Sequence, residues 1–149
     1  MHIERVHTDP DPYEPFLLSQ AIRAGDLLFV SGQAGYDDGG QIVLGGFDAQ
    51  AAQAFANLER ALRAGGASLA DVVKVTIFVT EMAANFPAVV ECRRRHFTPP
   101  YPADSIVEVA GLYTPEAQIE IEAIAVVVSE RAPQPQPPSG DVGESGFRA

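Results

Sequence analysis

An amphipathic helix pattern that leads into a buried strand pattern constrains the fold of this chain more than any other feature. Four apolar residues recur with the spacing of one helical face: Ala51, Phe55, Leu58 and Leu62. Asp48 is a suitable N-cap for this helix, and Gly65 and Gly66 are predicted to end it. The next run, residues 71–80, is DVVKVTIFVT, which predicts a central strand with at least one well-covered face.

Strand patterns also lie on both sides of this unit. Five further strands are predicted from alternating or β-branched runs: residues 3–7, 19–24, 27–33, 105–112 and 118–128. The second and third of them flank Gly25 and Asp26, which indicates a hairpin. A second helix is predicted to begin at Asn85, with Pro87 tolerated in its first turn.

The predicted order is β-β-β-α-β-α-β-β, which indicates an α/β (α+β) fold. We expect one domain with a mixed sheet and both helices packed on one face. The predicted strands carry more apolar surface, for example at Val107 and Ile124, than two helices can cover. The uncovered face and the sheet edges therefore predict an oligomer.

Composition excludes several classes of function. The formal net charge of −10 provides no basic surface for phosphate backbones or anionic membranes, so neither nucleic acid nor membrane is an expected partner. The single cysteine, Cys92, allows no internal disulfide and fits a reducing compartment. No apolar run approaches the ~20 residues of a membrane span, and the charged N-terminus does not resemble a signal peptide. We expect a soluble, cytoplasmic protein.

The C-terminal stretch differs from the rest of the chain. Residues 132–149 are rich in Pro, Gln, Gly and Ser, and they carry few apolar side chains. Such a segment buries too little surface to offset the entropy lost on ordering. The domain is therefore predicted to span residues 1–131, followed by a mobile tail. An arm that packs on a neighbouring subunit is the alternative.

Three stretches of the sequence resemble the RidA/YjgF family of enamine/imine deaminases. They read SQAIRAGDLLFVSGQAG, ANLERALRAGGASLADVVKVTIFVTEM and PADSIVEVAGL…QIEIEAIAV, and the resemblance covers about residues 16–128. It implies a chorismate-mutase-like fold, a homotrimer with a central barrel, and pockets for a small-molecule substrate at the subunit interfaces. It also implies hydrolysis of a 2-imino or 2-enamino acid to a 2-oxo acid and ammonia, without cofactor or metal.

Two acidic residues carry the implied chemistry. Glu120 matches the family residue that holds the attacking water, although strand alternation alone would also make it an outward, solvated side chain. Asp104 stands where the family has an arginine that binds the substrate carboxylate. A carboxylate there would repel a carboxylate substrate, so we expect an altered substrate preference. The two acids could instead form an acid–base pair in one pocket.

Four further residues match pocket positions. Ser31 and Gly32 match a ligand-facing serine and a point of close backbone approach. Leu18 lies where many members have a tyrosine, and Ile106 lies where a cysteine is common.

Two other sets of side chains are candidates for binding a ligand or a metal. The arginines of residues 93–96 are a possible replacement for the missing carboxylate clamp, but a charge run of this kind is usually a solvated helix face. The histidines and Cys92 show no metal-ligand spacing.

Two functions follow from these residues. The first is a RidA-like hydrolase or deaminase with altered substrate preference. The alternative is a non-catalytic homotrimer that binds a metabolite and has lost the deaminase activity. Ribonuclease activity, attributed to some relatives, is disfavoured by the net negative charge.

Overall fold

The computed structural model describes residues 1–128, in which six strands and two long helices follow one another in the predicted order. The elements are β1 (Ile3–Val6), β2 (Ala21–Ala24), β3 (Leu27–Ala34), α1 (Gly46–Ala64), β4 (Val72–Val79), α2 (Met82–His96), β5 (Ala103–Glu108) and β6 (Ile119–Val126). The predicted tail and the predicted end of the domain at residue 131 lie outside the described residues.

The strands form one mixed sheet in the order β1-β2-β3-β6-β4-β5. Only β4 and β5 are parallel neighbours, and α2 connects them, because parallel strands need a crossover connection. The other neighbouring strands are antiparallel. This crossover places α2 beside β5, which is an edge strand of the sheet.

The core lies between the sheet and the two helices, on one face only. Helix α1 contributes Phe55, Leu58 and Leu62, which are fully buried. The sheet contributes alternate residues such as Ile77 and Ile121. The opposite face is left open, and it carries the exposed apolar side chains of Leu27, Phe29 and Val107. The prediction of two helices on one face is thus confirmed.

Both helices begin earlier than the sequence predicts. Helix α1 starts at Gly46 after Gly45, and both glycines have positive φ, at 79° and 112°. Asp48 therefore lies in the first turn, where its charge suits the helix dipole, and it is not the N-cap.

Helix α2 starts at Met82, not at Asn85. The backbone N–H of Met82 donates a hydrogen bond of 2.7 Å to Oε2 of Glu108, a residue on β5. The side chain of Asn85 donates to the Thr80 carbonyl, and Pro87 lies inside the helix. The first N–H of α2 is thus capped by a side chain from β5. Because this cap is distant in sequence, local residues predicted a start of the helix that is too late. No helix in the described part of the chain is long and apolar enough to cross a membrane.

Candidate functional site

A β-bulge in β3 begins the first candidate site. Val30 pairs with Ala123 and Gln33 pairs with Ile121, so Ser31 and Gly32 together oppose one residue of β6. Bulges are common beside functional sites because they redirect the chain locally.

Glu120 on β6 packs directly against this bulge. A Cβ atom added to Gly32 would overlap Oε1 of the Glu120 carboxylate and would lie 2.8 Å from its Cδ. Only glycine therefore allows the carboxylate to rest on the backbone at this point. The resemblance placed Gly32 and Glu120 together in a pocket, and the structure brings them into contact. We call this pair, with Ser31 and Tyr13, the Glu120 site.

The environment of Glu120 favours its protonated form. Burial raises the pKa of the Glu120 carboxyl, and the charge of Glu122 raises it further. Glu122 is exposed and lies two residues along the same strand, on the same face. A carboxyl with a raised pKa is a better proton acceptor than an ordinary carboxylate, and it can return the proton it takes.

Tyr13 is a residue of this site that sequence analysis missed. Its hydroxyl donates a hydrogen bond to the Gly32 carbonyl, and its ring packs edge-to-face on Tyr36 with centroids 5.7 Å apart. Burial raises the pKa of Tyr13, and the neighbouring Tyr36 and Glu120 add to that effect. Tyr13 lies in a proline-rich loop, and this composition indicated only an irregular connection.

Ser31 and Leu18 lie on the loop side of the same site. The Ser31 hydroxyl donates to the Ser19 carbonyl at 2.6 Å, and the Ser31 N–H donates to the Gln20 carbonyl at 3.0 Å. Ser31 thus ties the bulge to the loop before β2. Leu18 is exposed, and its N–H donates to the Tyr13 carbonyl. Leu18 offers no hydroxyl, whereas Tyr13 brings one to Gly32.

A buried polar network holds the bulge in place. The Tyr36 hydroxyl donates to Oε1 of Gln33 at 2.6 Å, and Nε2 of Gln33 donates to both Oε1 of Gln20 and the Ser31 carbonyl. Gln20 and Gln33 are almost fully buried. Such a network is stable only when its members are satisfied, and it fixes one geometry for the backbone around Gly32.

The second candidate site surrounds Asp104 on β5. Both carboxylate oxygens of Asp104 accept hydrogen bonds from Arg93 on α2, with Nε–Oδ2 at 2.8 Å and Nη2–Oδ1 at 2.7 Å. The side chains of Arg93 and Asp104 are 27% and 19% exposed. Asp104 is therefore paired, because one of the three consecutive arginines binds it inside the same chain.

This ion pair lines a cleft of about 380 Å³. The remaining lining residues are Phe97, Tyr101, Pro102 and Ile106. Ile106 points to the same side of β5 as Asp104. We call this site the Arg93–Asp104 cleft.

The two candidate sites lie on opposite faces of the sheet. Asp104 is paired in register with Val75, whose side chain is buried on the helix face. Glu120 alternates with Ile119 and Ile121, which are also buried on the helix face, so Glu120 points to the open face. Within one chain the two carboxylates therefore do not form the acid–base pair suggested by the sequence, and a shared pocket would require a second copy.

Comparison with known proteins identifies the family. The family model described as endoribonuclease L-PSP matches residues 7–127. The chain belongs to the RidA/YjgF family. A 2-iminobutanoate/2-iminopropanoate deaminase of Dermatophagoides farinae is 39% identical to it over 119 residues, which is 79% of this chain and 90% of that protein.

Solved and curated relatives agree on this assignment. A RutC family protein of Pyrococcus horikoshii is 41% identical over 78% of this chain and 90% of its own length. The crystal structure of RidA from an Antarctic Psychrobacter is 35% identical, with a TM-score of 0.76, and the match covers 83% of this chain and 99% of that one. The fold inferred from strand and helix patterns is therefore that of the RidA/YjgF family.

Arg93 brings a guanidinium from α2 to the Arg93–Asp104 cleft. The resemblance implies an arginine on β5 at the position of Asp104, and in this structure the guanidinium beside that position belongs to Arg93. The sequence alone does not single out Arg93 among the arginines at 93–95, because the pairing depends on how α2 crosses β5. Among the described residues, no group of three or more His, Cys, Asp and Glu side chains is arranged to hold a metal ion.

Proposed function

We propose that this protein is a cofactor-independent hydrolytic deaminase that acts on an imine, enamine or related reactive intermediate. Its substrate preference is altered, because Asp104, bound to Arg93, occupies the place of the expected lone arginine. The observation that carries the proposal is the Glu120 carboxylate, which rests on Gly32 with a raised pKa on the open face of the sheet.

The chemistry requires water to add to a C=N carbon and ammonia to leave. The Glu120 carboxylate accepts a proton from water as the water oxygen bonds to the imine carbon. The carboxyl returns this proton to the nitrogen, which gives a tetrahedral intermediate with one hydroxyl and one amino group. The carboxylate then takes the hydroxyl proton and passes it to the same nitrogen, so that the C–N bond breaks as the C=O bond forms and ammonia leaves. One carboxyl whose pKa is raised by burial can serve as both base and acid in these transfers.

The names of relatives support an imine substrate. Relatives from mite, goat, mouse and human are described as 2-iminobutanoate/2-iminopropanoate deaminases. Hydrolysis of such imines gives 2-oxobutanoate or pyruvate with ammonia. The other family description, endoribonuclease, is less compatible with this chain, because a net charge of −10 opposes binding of an RNA backbone.

The active assembly in this proposal is a cytoplasmic homotrimer with pockets at its subunit interfaces. The open face of the sheet exposes Leu27, Phe29 and Val107, and burial of this face in an oligomer would remove their apolar surface from water. The Glu120 site and the Arg93–Asp104 cleft lie on opposite faces of the sheet in each chain. Only contact between copies could therefore bring the Glu120 site of one copy to the Arg93–Asp104 cleft of another.

The test is ammonia release from 2-aminoacrylate, generated in place by a pyridoxal-phosphate dehydratase. We expect the wild-type chain to accelerate ammonia release, and Glu120→Gln to lose about 10²- to 10⁴-fold of that acceleration. Glu120→Gln should unfold at the same or a higher denaturant concentration at pH 7. A carboxyl with a raised pKa in the folded state contributes stability at low pH, and this contribution is lost as pH rises through that pKa. The glutamine amide does not ionise, so the variant does not lose stability in this way.

Two other results would reject the deaminase. If neither the wild type nor Asp104→Arg accelerates ammonia release, the non-catalytic metabolite-binding trimer becomes the better account. If Glu120→Gln is as fast as the wild type, the Glu120 site is not the place of the chemistry.

A further inference from the structure

Arg93 retains a free hydrogen-bonding edge in the Arg93–Asp104 cleft. Asp104 engages Nε and one N–H of Nη2, which is the side edge of the guanidinium. An arginine side chain has five N–H donors, so three remain, on Nη1 and Nη2. Among residues 1–128 these three have no hydrogen-bond acceptor. The remaining edge is a planar fork that matches the two oxygens of a carboxylate.

Asp104 also fixes the direction of that fork. Asp104 belongs to β5, which is held in a parallel ladder against the central strand β4. The bidentate contact leaves the guanidinium few orientations, so less conformational entropy is lost when a ligand binds. Arg94 and Arg95 differ in this respect, because their side chains are 69% and 67% exposed and pair with Glu91 on the same helix.

The walls of the cleft indicate the size and character of the ligand. Its volume of about 380 Å³ is at the lower end of the range for small-molecule sites. Phe97, Tyr101 and Ile106 provide apolar surface beside the charged fork. This combination suits a short carboxylate with a small apolar side chain.

We propose that Arg93 is the carboxylate-binding residue of this protein, that Asp104 is its positioning residue, and that the ligand is a small 2-imino or 2-oxo monocarboxylate. This inference rests on the proposed function for the identity of the ligand. It names a different residue, on a different element, from the one that the resemblance assigns to this role. The altered substrate preference then follows from the position at which the substrate carboxylate is held. The Arg93–Asp104 ion pair has no net charge, but its guanidinium still directs a fork of N–H donors into the cleft.

The test measures binding without turnover. The stable product 2-oxobutanoate is titrated into the full chain, with 2-oxobutanamide as the uncharged control, and affinity is measured by calorimetry. We expect the wild type to bind the carboxylate and not the amide. Arg93→Gln should weaken binding by about tenfold to hundredfold, since a bidentate charge-assisted contact is lost. Arg93→Lys should also weaken binding, because a lysine keeps the charge but not the fork.

Arg94→Gln and Arg95→Gln are matched controls from the same helix turn and should bind as the wild type does. In NMR spectra, 2-oxobutanoate should shift the guanidinium signals of Arg93 and leave those of Arg94 and Arg95 in place. In Asp104→Asn the Arg93 Nε–H signal should lose the protection that it has in the ligand-free wild type. Circular dichroism establishes that each variant is folded.

Several outcomes would overturn this proposal. They are no carboxylate binding by the wild type, undiminished binding by folded Arg93→Gln, equal losses in the two control variants, or an unprotected Arg93 Nε–H in the wild type. The proposed deaminase fails separately, through ammonia release that does not depend on Glu120, so the two failures can be told apart.

Discussion

Gly32→Ala is the most direct perturbation of the Glu120 site. The added methyl group would overlap Oε1 of Glu120 and lie 2.8 Å from its Cδ, so the carboxylate must move away from the bulge. The overlapping atom is at the end of a flexible side chain, and the shift required is about 1 Å. The fold can therefore accept the change, but the reacting geometry cannot.

The expected magnitudes follow from these contacts. Gly32 does not have positive φ, so alanine fits the backbone without strain. The reduced freedom of the unfolded chain would stabilise the protein by about 0.4–1 kcal/mol, which offsets part of the cost of moving the carboxylate. A displacement of about 1 Å at a catalytic group lowers kcat/KM by roughly 10²-fold. We therefore expect a change in the free energy of unfolding within about 1 kcal/mol, with a large loss of activity.

The assay compares ammonia release and urea unfolding for Gly32→Ala and Gly111→Ala. Gly111 is a matched control, because a Cβ atom there meets no atom within 4 Å and its φ is not positive. In a Glu120→Ala background, Gly32→Ala should have no further effect on activity, since the two changes act through the same carboxylate. Full activity in folded Gly32→Ala, or an undiminished additional loss in the double variant, would refute this account of the site.

Two further predictions concern the same site. In Glu122→Gln the pKa of Glu120 should fall, because the like charge two residues along the same strand face is removed; the acid limb of the pH–rate profile should move to lower pH, and a limb that stays in place or moves upward would contradict the stated cause. Tyr13→Phe removes the donor to the Gly32 carbonyl but keeps the ring on Tyr36, so we expect about 1 kcal/mol lower stability in urea unfolding and a several-fold lower kcat, whereas unchanged values for both would show that the hydroxyl has no role.

Most of the fold could be predicted because its signals are local. The apolar stripe that contains Phe55 and Leu58 specifies α1, and the β-branched run of residues 72–79 specifies β4. The start of α2 could not be predicted in the same way. Its first N–H is satisfied by Glu108, which is 26 residues further along the chain, and a cap of that kind leaves no local signal.

The candidate site was only partly predictable for the same physical reason. Strand alternation places Glu120 opposite to Ile119 and Ile121, and this parity can be read from the sequence. On β5 the sequence does not show which residues face the helices, because the adjacent residues Ile106 and Val107 are both apolar. The structure resolves it by the contact between Asp104 and Arg93, which depends on the crossover of α2.

The Arg93–Asp104 ion pair changes the effect that Asp104 is expected to have on substrate binding. A lone carboxylate there would repel an anionic substrate, and this repulsion was the reason to doubt the family's usual substrate class. Arg93 compensates that charge and leaves a fork of N–H donors in the cleft, so the negative charge of Asp104 is offset by a guanidinium from another element. A carboxylate ligand is therefore compatible with Asp104. An aspartate at position 104 does not by itself exclude anion binding, and the residue whose removal should weaken that binding about tenfold to hundredfold is Arg93.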